Sequence, residues 1–110
     1  MAHSSTMEKL GSPAPDFNLK NWNPLLQQES YQLDSFKNQT SLLVAFFCNH
    51  CPYVKAIIKN IVEDTNKLKD LKIKAIAIMS NDTINYPEDS FERMKEFSKI
   101  NNFNFPYVID

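Results

Sequence analysis

Ser41-Leu42-Leu43-Val44-Ala45-Phe46-Phe47-Cys48-Asn49-His50-Cys51-Pro52 is the stretch that decides the fold. Every residue over 42–47 is apolar, a run of strand length, and both cysteines of the chain follow at once, three positions apart. Beyond Pro52, the residues Val54, Ile57, Ile58, Ile61, Val62, Thr65 and Leu68 recur at helical spacing. A strand that hands a Cys-x-x-Cys to a helix N-terminus has the outline of a redox device.

Working outward, the unbroken apolar run predicts a central parallel strand covered on both faces. Proline is favoured at the first helical position, so the helix is expected to start at Pro52 and run to about Lys69. Lys67, Lys69 and Lys72 suit its negative end. Residues 72–79 read as a second strand and 81–87 as a loop. Asp89 with Glu92 resembles a capping box, and Phe91, Met94, Phe97 and Ile100 mark a second amphipathic helix. Residues 105–109 read as a third strand. Upstream, Pro13-Ala14-Pro15 is expected to be extended. Residues 16–19 and 31–33 read as a hairpin around a turn at 21–28, and 34–37 as a short helical turn. The fold class is therefore α/β: a parallel βαβαβ core with right-handed crossovers and an N-terminal β-hairpin. The strand at 42–47 would have only one sheet neighbour, leaving a bare apolar edge unless the hairpin covers it. The chain is accordingly expected to be the front part of a longer domain, with residues 1–12 a flexible lead-in and 13–110 the domain portion.

Composition narrows the function. At 110 residues one domain is expected, and 43% hydrophobic with 12% aromatic content is that of a globular chain, not a disordered one. A net charge of −1, from 12 basic and 13 acidic residues, lacks the footprint of a nucleic-acid binder. No apolar stretch nears the roughly 20 residues of a membrane span. Residues 1–6 lack the pattern of an export signal. Two cysteines are too few for a disulfide scaffold, so a soluble cytoplasmic protein is expected. Gly11 is the single glycine, which excludes a glycine-rich phosphate loop.

Thiol redox chemistry needs a thiolate, and a free cysteine titrates near ~8.5. The unpaired N–H groups and partial positive charge of a helix N-terminus favour the thiolate, and His50 can add charge or a hydrogen bond. If Pro52 opens the helix, Cys51 occupies the N-cap. Cys51 is therefore expected to attack, and Cys48 to resolve the mixed disulfide or sulfenic acid. Two alternatives are weaker. Inert buried cysteines fit poorly with the polar Asn49-His50 between them. A structural zinc site wants four ligands, and only Cys48, Cys51, His50 and His3 exist, with His50 badly placed to close a tetrahedron. Cu(I) on both thiolates and one imidazole suits these soft ligands better. No metal and no cofactor is expected. Trp22, Tyr31 and the phenylalanines read as packing, His3 as part of the lead-in, and Arg93 as a surface charge. Asn81-Asp82 follows a strand's C-terminal end, where α/β sheets place ligands, but reads as a solvated turn.

The cysteine block, with Gly11-Ser12-Pro13-Ala14-Pro15-Asp16-Phe17-Asn18-Leu19, Ile78-Met79-Ser80-Asn81-Asp82 and Tyr86-Pro87-Glu88-Asp89-Ser90, resembles the thioredoxin-like redoxins. The branch is that of alkyl hydroperoxide reductase and thiol-specific antioxidant proteins (AhpC/TSA), and the resemblance spans residues 8–110. It implies a thioredoxin-like fold, truncated before the family's cis-proline hairpin and last helix. It implies a thiol–disulfide oxidoreductase of cell redox homeostasis, in which the Cys48–Cys51 couple reduces a protein disulfide and an unidentified thiol reductant restores it. Phe47 and Asn49-His50 stand where thioredoxin has Trp-Cys-Gly-Pro-Cys, so a second register is open. There Cys51-Pro52 matches the peroxidatic cysteine of a peroxiredoxin, and Cys48 takes the place of a threonine three residues earlier. That register implies a thiol peroxidase acting on a hydroperoxide, with Cys51 oxidised to sulfenic acid and Cys48 closing the disulfide. The peroxiredoxin active-site arginine is unassigned. A third reading is a copper-handling or partner-binding module on the same fold. The 110-residue chain is expected to dimerise through the open sheet edge, swap elements or aggregate, with no nucleic-acid and no membrane partner.

Overall fold

Alternating polar and apolar residues near the N-terminus build β1 (Asn18–Asn21) and β2 (Ser30–Gln32), an antiparallel hairpin with Leu19 opposite Tyr31. A computed structural model describes residues 10–81 and 83–110 of the chain. Most of the expected lead-in, His3 and Asp82 lie outside the described residues. A 3₁₀ turn at Leu33–Phe36 leads to β3 (Ser41–Phe46), then α1 (Pro52–Leu68) and a further 3₁₀ turn at Lys69–Leu71. β4 (Ile73–Met79), a 3₁₀ turn at Pro87–Asp89, α2 (Phe91–Ile100) and β5 (Tyr107–Ile109) complete the order. The expected elements are all present, with the third strand starting two residues late at Tyr107.

The five strands form one sheet in the order β2-β1-β5-β4-β3. β3, β4 and β5 run parallel, and the hairpin joins antiparallel through β1 on β5. Because side chains alternate across a strand, β4 splits its apolar residues between two cores. Ala77 and Met79 face both helices, packing with Ile58 of α1, Met94 of α2, Phe103, Phe105 and Tyr107. Ile76 and Ile78 point the other way, onto Phe36, Val108, Phe17 and Leu19. Both helices thus cover the same face, and the turn and hairpin segments cover part of the opposite one.

Of the two expectations for this strand, the bare edge is borne out and the central position with cover on both faces is overturned: β3 is the edge of the sheet, paired only with β4 among the described residues. The register sets Val44 beside Ile76 and Phe46 beside Ile78, on the face without helices. The hairpin docks on β5, at the far side of the sheet, and gives them no cover. Leu43, Val44 and Phe46 remain 46%, 41% and 66% exposed. An apolar run signals burial on both faces only when neighbours are available, and here the topology withholds one.

A paired-on-one-side apolar strand templates pairing with another chain. The 110-residue chain is expected to self-associate through β3 in sedimentation velocity. Phe46→Lys should shift it toward monomer with little change in thermal midpoint, since the side chain is already exposed. A monomeric wild-type chain would show that this edge is inert.

Candidate functional site

Phe47 anchors the cysteine loop. Its backbone N–H donates to the Ile78 carbonyl at 3.2 Å, and its ring packs against Phe103, Phe105 and Tyr107. The chain then leaves the sheet through Cys48-Asn49-His50 and enters α1. Cys51 is the N-cap residue, extended at φ −66° and ψ 120°, and Pro52 takes the first helical position. That is the placement proline's locked φ and missing N–H favour. The Cys51 carbonyl accepts from the Lys55 N–H at 3.0 Å, while its thiol makes no capping hydrogen bond. Both cysteines are free and half-buried. They line one cleft of about 280 Å³ with Phe46, Phe47, Val54, Ser80 and Asn81, beyond the C-terminal ends of β3 and β4.

Behind the cysteines lies a residue that the capping-box reading misplaced. Asp89 does not cap α2: Ser90 does, its hydroxyl facing the Arg93 N–H at 3.5 Å. Asp89 is completely buried and turns toward the cysteine loop. Its Oδ1 accepts from the Asn49 N–H at 2.7 Å, and its Oδ2 from the Asn81 side-chain amide at 2.9 Å. His50 Nδ1 approaches the same Oδ2 to 2.7 Å, an ion pair when the imidazole is protonated, though poorly aligned as a hydrogen bond. Tyr86 stacks on the outer face of His50 at 5.5 Å with the rings nearly parallel at 6°. Asn49 is tied twice more: its amide donates to the Glu88 carbonyl at 3.1 Å, and its Oδ1 accepts from the Tyr107 hydroxyl at 2.7 Å.

These contacts set the local electrostatics. Burial pushes the Cys48 thiol above its ordinary value, and the Asp89 carboxylate pushes it the same way. The backbone amides of Cys51 and His50 face the Cys48 sulfur and oppose the shift without cancelling it. Burial likewise drives the Tyr107 phenol far above its usual range, with Asp89 and Cys48 adding to the effect. These effects favour the protonated hydroxyl, the form that donates to Asn49.

Cys48, His50 and Asp89 present donor atoms within 4.8 Å of one another, the set that would hold a metal ion if one bound. Two ligand atoms round a tetrahedral zinc stand roughly 3.3 Å apart, given bonds of about 2.0 Å. The 2.7 Å His50–Asp89 contact is tighter, so an ion using Nδ1 and Oδ2 would have to break it. Of the sequence candidates, Cys48, His50 and Cys51 come together, and Asn81 joins them through Asp89. Arg93 is a surface charge paired with Glu96 at 3.2 Å. Trp22 packs, stacked on Phe91 at 4.4 Å. Sequence reasoning missed Asp89, Asn49 and Tyr107. A signal for Asp89 existed: Asp89-Ser90 offers two capping residues in succession, and a helix takes only one.

The model of the AhpC/TSA family matches residues 10–110. The chain belongs to the AhpC/TSA family. No curated protein matches it. Among solved structures, this redoxin is similar to an uncharacterized conserved protein from Geobacillus kaustophilus at 36% identity and TM-score 0.86, over 94% of this chain and 53% of that one. A hypothetical protein from Sinorhizobium meliloti 1021 aligns at 31% identity and TM-score 0.86, over 96% and 55%. The chain thus spans about half the length of these two relatives. A thiol:disulfide interchange protein of the thioredoxin family from Chlorobium tepidum TLS shares the fold at TM-score 0.72 and 17% identity, over 94% and 63%. The redoxin has the thioredoxin-like α/β fold.

Tyr107 and Asn49 supply a stability test of the network. Tyr107→Phe leaves Asn49 Oδ1 buried without its donor, a loss of about 1–3 kcal/mol. Urea melts of the two redoxins should resolve a difference of that size. Equal midpoints would mean that water replaces the hydroxyl.

Proposed function

We propose that this redoxin is a thiol–disulfide oxidoreductase working through the Cys48–Cys51 couple without a bound cofactor. The observation that carries the reading is the pair of free thiols sharing one open cleft at the strand–helix joint, with Cys51 at the helix N-cap. Cys51 stands at the positive end of α1, where unpaired N–H groups stabilise a thiolate. Burial and the Asp89 carboxylate shift the Cys48 thiol upward, which suits a thiol that acts second. The Cys51 thiolate attacks a protein disulfide, one substrate sulfur leaves as thiolate, and a mixed disulfide forms. Cys48 then attacks Cys51, the second substrate thiol departs, and an intramolecular disulfide remains. A thiol reductant of the cytoplasm, the compartment we propose, returns the couple to the dithiol.

A second reading rests on the family match itself. Cys51 would then attack a hydroperoxide, becoming a sulfenic acid with loss of water or alcohol, and Cys48 would condense with it to the same disulfide, releasing water. Parallel kinetics of the reduced redoxin with hydrogen peroxide and with a protein disulfide separates the two. The first reading expects the disulfide to react far faster, and a preference for peroxide would replace it with the second.

The order of attack has its own test. Iodoacetamide at neutral pH should alkylate Cys51 before Cys48, read by peptide mass spectrometry. Because Cys48 is shifted upward, its labelling should rise steeply only at alkaline pH. Preferential labelling of Cys48 at neutral pH would reverse the roles of the two cysteines.

A further inference from the structure

β4 is seven residues long and β5 three, and their register pairs only Ala77, Ile78 and Met79 with Tyr107, Val108 and Ile109. The first half of β4 therefore has β3 on one side and no strand on the other. Backbone groups alternate in direction along a strand. The Lys72 and Ile78 carbonyls accept from Thr40 and Phe47 on the β3 side, whereas the Ala77 N–H and the Met79 carbonyl meet Pro106 and Asp110 on the β5 side. By that alternation, Ile73 and Ala75 aim their N–H and C=O groups at the place where β5 would continue. Extending the register sets Asn104 opposite Lys74, where a parallel neighbour would donate to the Ile73 carbonyl and accept from the Ala75 N–H. Asn104 instead turns to α1, its amide donating to the Val62 carbonyl at 3.0 Å and its Oδ1 accepting from the Thr65 hydroxyl at 3.0 Å. Among the described residues, the Ile73 carbonyl and the Ala75 N–H have no hydrogen-bond partner on this side.

In the place of the missing strand lies a cavity of about 290 Å³, at the end of β4 opposite the cysteines. Ile73, Lys74 and Ala75 form one wall of it, and Leu26 and Tyr31 of the hairpin segment line it too. Thr65 lines it from the helix face of the sheet, and Phe36 from the other face. Its size reaches the lower end of small-ligand sites, roughly 300 Å³. The charge is one-sided: Lys69 and Lys74 line the cavity, and no carboxylate does. One unpaired acceptor, one unpaired donor and cationic charge beside them form a complementary image of a peptide terminus. A half-buried backbone group needs a partner from water or from a ligand.

We propose that this slot binds the C-terminal residue of a peptide, which enters alongside β4 as a short parallel strand. Its last N–H donates to the Ile73 carbonyl, and an oxygen of its terminal carboxylate accepts from the Ala75 N–H, the two bonds that Asn104 leaves unmade. The chain must end there, because Pro106 occupies the next position of the ladder. Lys74, directly opposite the terminal residue, meets the carboxylate charge, and Lys69 adds to the field. The terminal side chain shares the face of Lys74 and finds Phe36 and Tyr31, so an apolar residue suits it. Main-chain bonds give such a site affinity, and the carboxylate gives it selectivity for a free terminus. The site lies at the far end of the sheet from Cys48 and Cys51 and does not depend on the chemistry proposed for them.

The test titrates the reduced redoxin with acetyl-Ala-Ala-Leu carrying a free carboxylate, and with the same peptide ending in a carboxamide. Hydrogen exchange resolved to single amides by mass spectrometry reads the site and tolerates self-association of the chain. At about ten times Kd, exchange of the Ala75 amide should slow about tenfold, the factor that binding imposes on an amide exchanging from the free state alone. The carboxamide peptide should bind about tenfold more weakly, the order expected for losing a charge-assisted hydrogen bond. Lys74→Gln, at an exposed position, should weaken the free-carboxylate peptide by a similar factor. Lys59→Gln, exposed on α1 and outside the cavity, should leave Kd unchanged. An Ala75 amide that ignores the free-carboxylate peptide up to its solubility limit overturns the proposal. Equal binding of the two peptides, equal weakening by Lys59→Gln, or protection confined to the cysteine loop overturns it as well.

Discussion

A carboxylate deprived of water must be surrounded by donors, and the site of this redoxin is organised by one such demand. Asp89 draws its donors from two places, the backbone of Asn49 in the cysteine loop and the side chain of Asn81 just past β4, and the imidazole of His50 approaches it at ion-pair distance. Segments far apart in sequence are thereby fixed to a single charge. The cost of leaving that charge unpaired inside the protein is several kcal/mol, which explains why the loop adopts this geometry. Asn49 extends the connection to β5 through the Tyr107 hydroxyl, so the cysteine loop is tied to both the connection before α2 and the sheet.

That arrangement gives the two cysteines different surroundings although three residues separate them. Cys51 belongs to the helix: its backbone begins α1, and its thiol is left without a capping contact. Cys48 belongs to the core side, packed beside Phe47 and Val54 and close to a negative charge. The proposed division of labour between the two thiols rests on this asymmetry, because a nucleophile profits from stabilised negative charge and a resolving thiol must hold its proton until needed.

The sheet edge and the redox cleft are neighbours. Phe46 is both the most exposed large apolar residue of β3 and part of the cleft that holds the cysteines. Whatever pairs with β3 therefore also borders the thiols. The two relatives from Geobacillus kaustophilus and Sinorhizobium meliloti are about twice as long as the aligned region, while keeping the backbone of this half closely. The described residues carry two apolar cores and a buried polar network of their own.

Local chemistry was legible from the sequence wherever it is decided by near neighbours. Pro52 after Cys51 determined the helix start and the N-cap, because proline's φ and missing N–H act on adjacent residues. The periodicities of the hairpin, α1, β4 and α2 determined which elements form, and the cysteine spacing placed both thiols at the strand–helix joint. Residues 42–47 show where that logic ends. An apolar run records that side chains prefer burial, but whether Val44 and Phe46 find cover depends on which strand lies beside them. Asp89 shows the same limit from the polar side. By local rules it is a helix cap, and only the return of α2 against the cysteine loop offers it Asn49, Asn81 and His50. Strand neighbours and buried charge partners are long-range choices, settled by burial and hydrogen bonding across the whole fold, and tertiary structure alone decided them.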